Sequence, residues 1–237
     1  MDAAPAPTAP PLPHAVPLKH AFAWFESALR TFKCQPWRWC ALGFITLASQ
    51  LLLTSVPSIG VAAAAVIVPV VGCGMLLAAA AVDRGAQPVI RFAAAPFAAR
   101  PAALAAIVVA ALFSSAIEAV IAYALTGVNL LADPTDATMN APTLLVVVGA
   151  ETVASLPFVF VPMAALLQNA AFSPAFATSV RAFALNVAPL MLFGLLTVLL
   201  TVIGLSTFGI GLIAAYPLLA LVSYAAWKDI CSIPTAP

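Results

Sequence analysis

Residues 61–84 read VAAAAVIVPVVGCGMLLAAAAVDR. No charge interrupts the run from Val61 to Val82, and Asp83 and Arg84 close it. A helix rises about 1.5 Å per residue and the hydrocarbon core of a bilayer is about 30 Å thick, so about 20 such residues cross it. The stretch reads as a membrane span. It is dense in small residues: Ala62 to Ala65, Gly72, Gly74 and Ala78 to Ala81. Helices in lipid have no hydrophobic drive toward one another and associate through close backbone contact, which small side chains allow. This span is therefore expected at the centre of a bundle.

Five further apolar runs have spanning length, at 37–56, 102–124, 144–167, 189–207 and 211–227. The expected fold is all-α, a polytopic membrane protein of six transmembrane helices. Composition agrees. Of 237 residues 64% are hydrophobic and 7% charged, against about 25% charged in a soluble domain. The mean hydropathy is +1.12. These values exclude a soluble globular domain and a disordered chain. A net charge of +1 leaves no basic face for nucleic acid.

Residues 1–17 hold six prolines and no cationic flank ahead of an apolar core. They read as a flexible tail with polyproline character rather than a secretory signal. A single membrane domain is expected over 18–230, with a short C-terminal tail at 231–237. At the start of that domain Leu18, Phe22, Phe25, Leu29 and Phe32 fall on one helical stripe, while Lys19, Glu26, Arg30 and Lys33 lie off it. Glu26 and Arg30 form a favourable i,i+4 pair. This segment is too short and polar to span, so it should lie in the membrane interface, aromatics toward lipid and cations toward head groups.

The same arrangement recurs. An aromatic-bearing amphipathic stretch precedes a proline at Phe22/Phe25/Phe32 then Pro36, at Phe92/Phe97 then Pro101, and at Phe172/Phe176/Phe183 then Pro189. Each proline suits the first turn of a helix. Ser173-Pro174 reads as a cap followed by an N1 proline. The outer turns Ser58-Ile59-Gly60-Val61 and Gly209-Ile210-Gly211-Leu212 match. So do the mid-helix prolines Pro69 and Pro217. The pattern predicts three interfacial helices and a threefold repeat of helical hairpins. Such repeats occur in transporters and equally wherever a membrane hairpin was duplicated.

All nine cations fall on one side of these spans: Lys19, Arg30, Lys33 and Arg38, then Arg84, Arg91 and Arg100, then Arg181, then Lys228. The positive-inside rule makes that side cytosolic. The protein is expected in a bacterial inner membrane, multi-pass, with both termini in the cytosol. Its expected partner is the lipid bilayer. The nine cations are candidate head-group contacts for anionic lipids, and Trp24, Trp37, Trp39 and Trp227 are expected to form a belt with them.

Three segments carry a family resemblance: Phe22, Phe25, Gln35, Pro36 and Trp37; the turn Val56 to Gly60; and the ending Ala226 to Ile230. Over about 18–232 the chain resembles proteobacterial six-span inner-membrane proteins without an assigned activity. More distantly it is similar to the membrane domain fused to some glycerophosphodiester phosphodiesterases. The resemblance implies the six-span fold and carries no activity or site residue with it. The soluble phosphodiesterase domain, with its clustered acidic and His residues, has no counterpart here.

Two carboxylates lie in apolar runs. Glu118 follows Ser114 and Ser115 by one turn, and Glu151 neighbours Thr152. Consecutive antiparallel helices put both about 12 Å from their outer ends. With no intramembrane Lys, Arg or His beside them, the pair is a candidate proton or ion site. The alternative places both at the outer head groups, solvated and without a role. Pro157 and Pro162 are a candidate hinge in the same span, or a fixed bend. Gln50 is a buried amide suited to an interhelical hydrogen bond. Cys34, Cys40, Cys73 and Cys231 show no metal-ligand spacing, and no nucleotide, hydrolase or metalloprotease motif occurs. No cofactor, metal or catalytic residue is expected, and the chain does not read as an enzyme. Two functions remain: a non-enzymatic, lipid-interacting or accessory membrane protein, and a small proton- or cation-coupled transporter using Glu118 and Glu151.

Overall fold

A computed structural model describes residues 12–56, 59–127 and 141–231. All regular structure among the described residues is helical. The helices are α1 (His20–Cys34), α2 (Pro36–Thr54), α3 (Gly60–Asp83), α4 (Pro101–Thr126), α5 (Ala141–Ser155), α6 (Val161–Leu167), α7 (Phe172–Leu185), α8 (Val187–Ser206) and α9 (Leu212–Cys231). Tight 3-10 turns occupy Ile90–Ala93, Ala95–Ala98 and Leu156–Phe158.

Among the described residues four stretches are long and apolar enough to cross a membrane: Gly60–Asp83, Pro101–Leu125, Leu145–Leu167 and Val187–Ser206. The other two expected runs form the helices α2 and α9, which are less apolar. Trp37, Arg38, Trp39 and Gln50 dilute α2, and Tyr216, Tyr224, Lys228 and Asp229 dilute α9. The fourth expected span, 144–167, is α5, a 3-10 turn and α6 in series. Pro157 and Pro162 lack the N–H that would continue the α-helical ladder, so the helix breaks and restarts.

The expected central position of the small-residue span is where α3 sits, against α2, α4, α6, α9 and the first two 3-10 turns. Ala78, Ala79 and Ala80 are buried. A Cβ on Gly74 would stand 2.2 Å from the Phe92 carbonyl oxygen, so only glycine lets the 90–93 turn approach α3 so closely. Pro36 and Pro101 are the first residues of α2 and α4, and Pro189 lies in the first turn of α8. Pro69 and Pro217 lie inside α3 and α9.

Several expectations are corrected. The second interfacial stretch is two 3-10 turns rather than an amphipathic helix, because Pro96 interrupts the ladder a few residues in. Ser173 and Pro174 lie inside α7, and Ala171 holds the cap position without a side-chain hydrogen bond. The outer-turn residue Ser58 lies outside the described residues, as does the tail over 1–11. The rest of that tail is docked: the His14 N–H donates to the Ile230 carbonyl at 3.0 Å. Asn186 holds the same segment, its Oδ1 accepting from the Val16 N–H at 2.7 Å and its Nδ2 donating to the His14 carbonyl at 2.8 Å.

In α1 the protein-facing residues are Ala21, Trp24 and Ala28, while Leu18, Phe22 and Leu29 of the expected stripe face outward. Small side chains and a tryptophan fit against α9, and the larger apolar groups are left to lipid. The expected tryptophan belt reduces to Trp37, since Trp24, Trp39 and Trp227 are core residues. Trp24 donates from Nε1 to Asp229 Oδ2 at 2.8 Å, and His20 Nδ1 lies 2.7 Å from the same oxygen.

Candidate functional site

The α4–α5 pair carries the two carboxylates that lie in apolar runs. Glu118 lies about 12 Å along α4 from Thr126, and Glu151 about 15 Å along α5 from Ala141. The helices pack side by side, and Glu151 is within electrostatic range of Glu118. Both are half-buried. Among the described residues neither carboxylate has a hydrogen-bond or cationic partner. Thr152, next to Glu151, spends its hydroxyl on the Val148 carbonyl at 2.7 Å.

Glu118 lines a cavity of about 320 Å³ between α2, α3 and α4. The polar groups around it are Gln50 and Thr54 from α2 and Ser115 from α4; Ala65 and Pro69 of α3 form the facing wall. Pro69 has no N–H to give the Ala65 carbonyl four residues earlier, so that oxygen is an added acceptor beside the cavity. Thr54 already donates to the Gln50 carbonyl at 2.8 Å. Glu151 is not among the residues lining this cavity. The result is an oxygen-rich recess with one carboxylate facing it, a second nearby, and no cation of the protein to neutralise either. Hard oxygen donors of this kind suit a proton or a small cation.

A second cavity, of about 300 Å³, continues along α3 and α4 from Pro69. Ser114, Ser155 and Ser223 bring three hydroxyls to it from α4, α5 and α9, and Pro162 lines its wall. Sequence reading noted Ser114 but had no means to bring Ser155 and Ser223 beside it.

The Pro157/Pro162 break is pinned from outside its own span. Ser179 of α7, fully buried, donates to the Pro157 carbonyl at 2.7 Å and accepts from the Phe160 N–H at 3.1 Å. Phe158 packs edge-on to Phe113 and Phe176. The hydroxyl satisfies two backbone groups that the broken ladder leaves over. The fixed-bend alternative is the one this geometry favours. Ser179→Ala leaves a buried donor and a buried acceptor unpaired, and is expected to cost about 2 kcal/mol. A thermal unfolding series in detergent checks this; an unchanged midpoint would show that the bend holds without Ser179.

The nine cations divide by partner. Lys228 pairs with Asp83 at 2.8 Å, and Arg30 with Glu26 at 3.4 Å. Arg38 donates to Gln87, and Arg100 to the Asn169 carbonyl at 2.8 Å. Arg84 is exposed and within electrostatic range of Tyr224. Lys19, Lys33, Arg91 and Arg181 are exposed and make no side-chain hydrogen bond or ion pair among the described residues. The links 38–87, 83–228 and 100–169 tie helix ends together, so these cations share one end of the bundle. The four thiols are free.

No family model, curated protein or solved structure matches the chain.

Proposed function

We propose that this chain is a six-span inner-membrane protein, related to the proteobacterial family it resembles, that carries a proton or small monovalent cation through the Glu118–Glu151 region. The observation behind this reading is the oxygen-lined cavity at Glu118, where a carboxylate meets Gln50, Thr54 and Ser115 inside a chain with no intramembrane cation. A charged side chain near mid-bilayer costs about 2.5–3.5 kcal/mol on insertion scales. Glutamine at both positions would spare that cost, so the presence of two acids there supports a use of their charge.

The finer architecture belongs to the same reading. Six spans place both termini on one side, and the cations at that end make it cytosolic. A threefold repeat is supported by the packing: α2 lies against α9, α4 against α3, and α8 against α5. Each helix that leads a hairpin thus meets the returning helix of the hairpin before it, taken cyclically. The mechanism needs no nucleophile, and the reading is non-enzymatic.

A second reading, a lipid-interacting or accessory protein, is favoured by the outward Phe22 and Leu29 of α1 and Leu18 just before it, with unpaired Lys19 and Lys33 beside them. Anionic lipids of the cytosolic leaflet are the partner this implies.

The discriminating measurement is flux into liposomes reconstituted with the full chain, read with a pH dye and with a sodium dye under an imposed gradient. Flux of one of the two ions is expected. Glu118→Gln should lower it at least tenfold, with the protein still monodisperse. Flux equal to wild type in the double variant Glu118→Gln/Glu151→Gln, or none from the wild type, would leave the lipid-interacting reading standing instead.

A further inference from the structure

Beneath α1, on the outer face of the bundle, lies a groove of about 460 Å³. That volume falls within the roughly 300–1,000 Å³ of small-molecule sites. Its floor is Leu199 and Ile203 of α8 with Val222 of α9, and its upper edge is Phe25, Glu26 and Leu29 of α1. Leu199 and Ile203 are more than half exposed, so they face the bilayer rather than the bundle. The only polar side chain on the groove is Glu26, at the edge formed by the interfacial helix. One turn on, Arg30 reaches back to it, Nη1 to Oε1 at 3.4 Å, and both side chains are largely exposed.

We infer that this groove holds an acyl chain of a zwitterionic, primary-amine phospholipid of the phosphatidylethanolamine class, with Glu26 and Arg30 reading its head group. The groove is apolar along its length and charged at one end, which is the polarity of a phospholipid. The charged end offers both signs. Glu26 has a carboxylate oxygen free to accept from an ammonium, and Arg30 has further N–H donors for a phosphate, since a guanidinium carries five. An anionic lipid without an amine would put its head against the Glu26 carboxylate. A trimethylated amine has no N–H to donate to it. The inference rests on the chain being embedded in a bilayer and is independent of the Glu118 cavity.

The test uses the full chain in nanodiscs made from equal parts phosphatidylethanolamine and phosphatidylglycerol, with retained lipid read by native mass spectrometry. The wild type should keep one lipid with about a fivefold preference for phosphatidylethanolamine, the ratio expected of one exposed charge contact. Glu26→Gln should bring the ratio to parity without changing the unfolding midpoint, because Glu26 is exposed. Leu199→Trp, which fills the groove from an exposed position, should retain no lipid. Phosphatidylglycerol in excess, no retained lipid in the wild type, or a ratio that Glu26→Gln leaves unmoved would each overturn the inference. Ion flux measured on Glu26→Gln keeps this outcome separate from that of the cation reading.

Discussion

Gly43→Leu is expected to separate α2 from α9 and to lower stability by about 3 kcal/mol or more. A Cβ at position 43 would lie 2.1 Å from the Ile213 carbonyl oxygen and 2.9 Å from Pro217 Cδ. Neither neighbour can yield cheaply. The first is helix backbone, and the second is a ring fixed in that backbone. Pro217 also explains why the carbonyl is there to be met: it has no N–H to donate to Ile213, so that oxygen turns toward the hydrogen-only face of Gly43. Even Gly43→Ala should cost about 1–3 kcal/mol. Gly149→Ala is the control, since nothing stands within 4 Å of a Cβ there. It should shift the unfolding free energy by no more than about 0.5 kcal/mol. The check is helical signal against denaturant in detergent for the three variants. Equal midpoints for Gly43→Leu and Gly149→Ala would mean that α2 and α9 do not pack as described.

Asn186→Leu should cost about 3 kcal/mol and free the N-terminal segment. Asn186 is 1% exposed and uses its whole amide. The oxygen takes the Val16 N–H, and the nitrogen serves the His14 carbonyl and the Ala182 carbonyl at 3.0 Å. Leucine keeps the same branched side-chain skeleton but carries methyls where the amide was, so all three hydrogen bonds are lost and a buried site must also take a larger group. Two backbone groups of the 12–17 segment would be left over against the bundle. The readout separates this from a general loosening: amide exchange at Val16 should rise by orders of magnitude while the amides of α3 stay slow. Protection at Val16 equal to wild type would show that the His14–Ile230 and His20–Asp229 contacts hold the segment without Asn186.

Both residues show where sequence reading stopped. Gly43 is one of several glycines in apolar helices, and nothing local marks it as the one against a proline-freed carbonyl 170 residues away. Asn186 sits between an amphipathic stretch and a span, where a polar residue looks like a loop. Its partners lie in a proline-rich segment that composition alone assigned to a tail. Ser179 is similar: a hydroxyl in the amphipathic helix α7, whose use depends on the broken ladder between α5 and α6. In the candidate site, Glu118 and Glu151 were legible because a carboxylate in an apolar run is costly wherever the helix lies. The Glu118 neighbours Gln50 and Thr54 were not assigned to it, because they come from α2, two helices earlier.

What the amino-acid sequence determined by itself was the class of protein and the placement of its helices. Apolar runs of about 20 residues and prolines at helix starts are local patterns, and among the described residues four of the runs are helical stretches long and apolar enough to cross a membrane. What only the tertiary structure decided was which residues meet. That α3 is central followed from its small residues. That Gly43 touches Ile213, that Ser179 closes the Pro157 break, and that Asn186 straps down residues 12–17 depend on contacts between distant helices, which no periodicity within one helix encodes. The same holds for the apolar stripe of α1. Its spacing made it amphipathic, but whether Trp24 or Phe22 turned inward was settled by what α9 could accommodate.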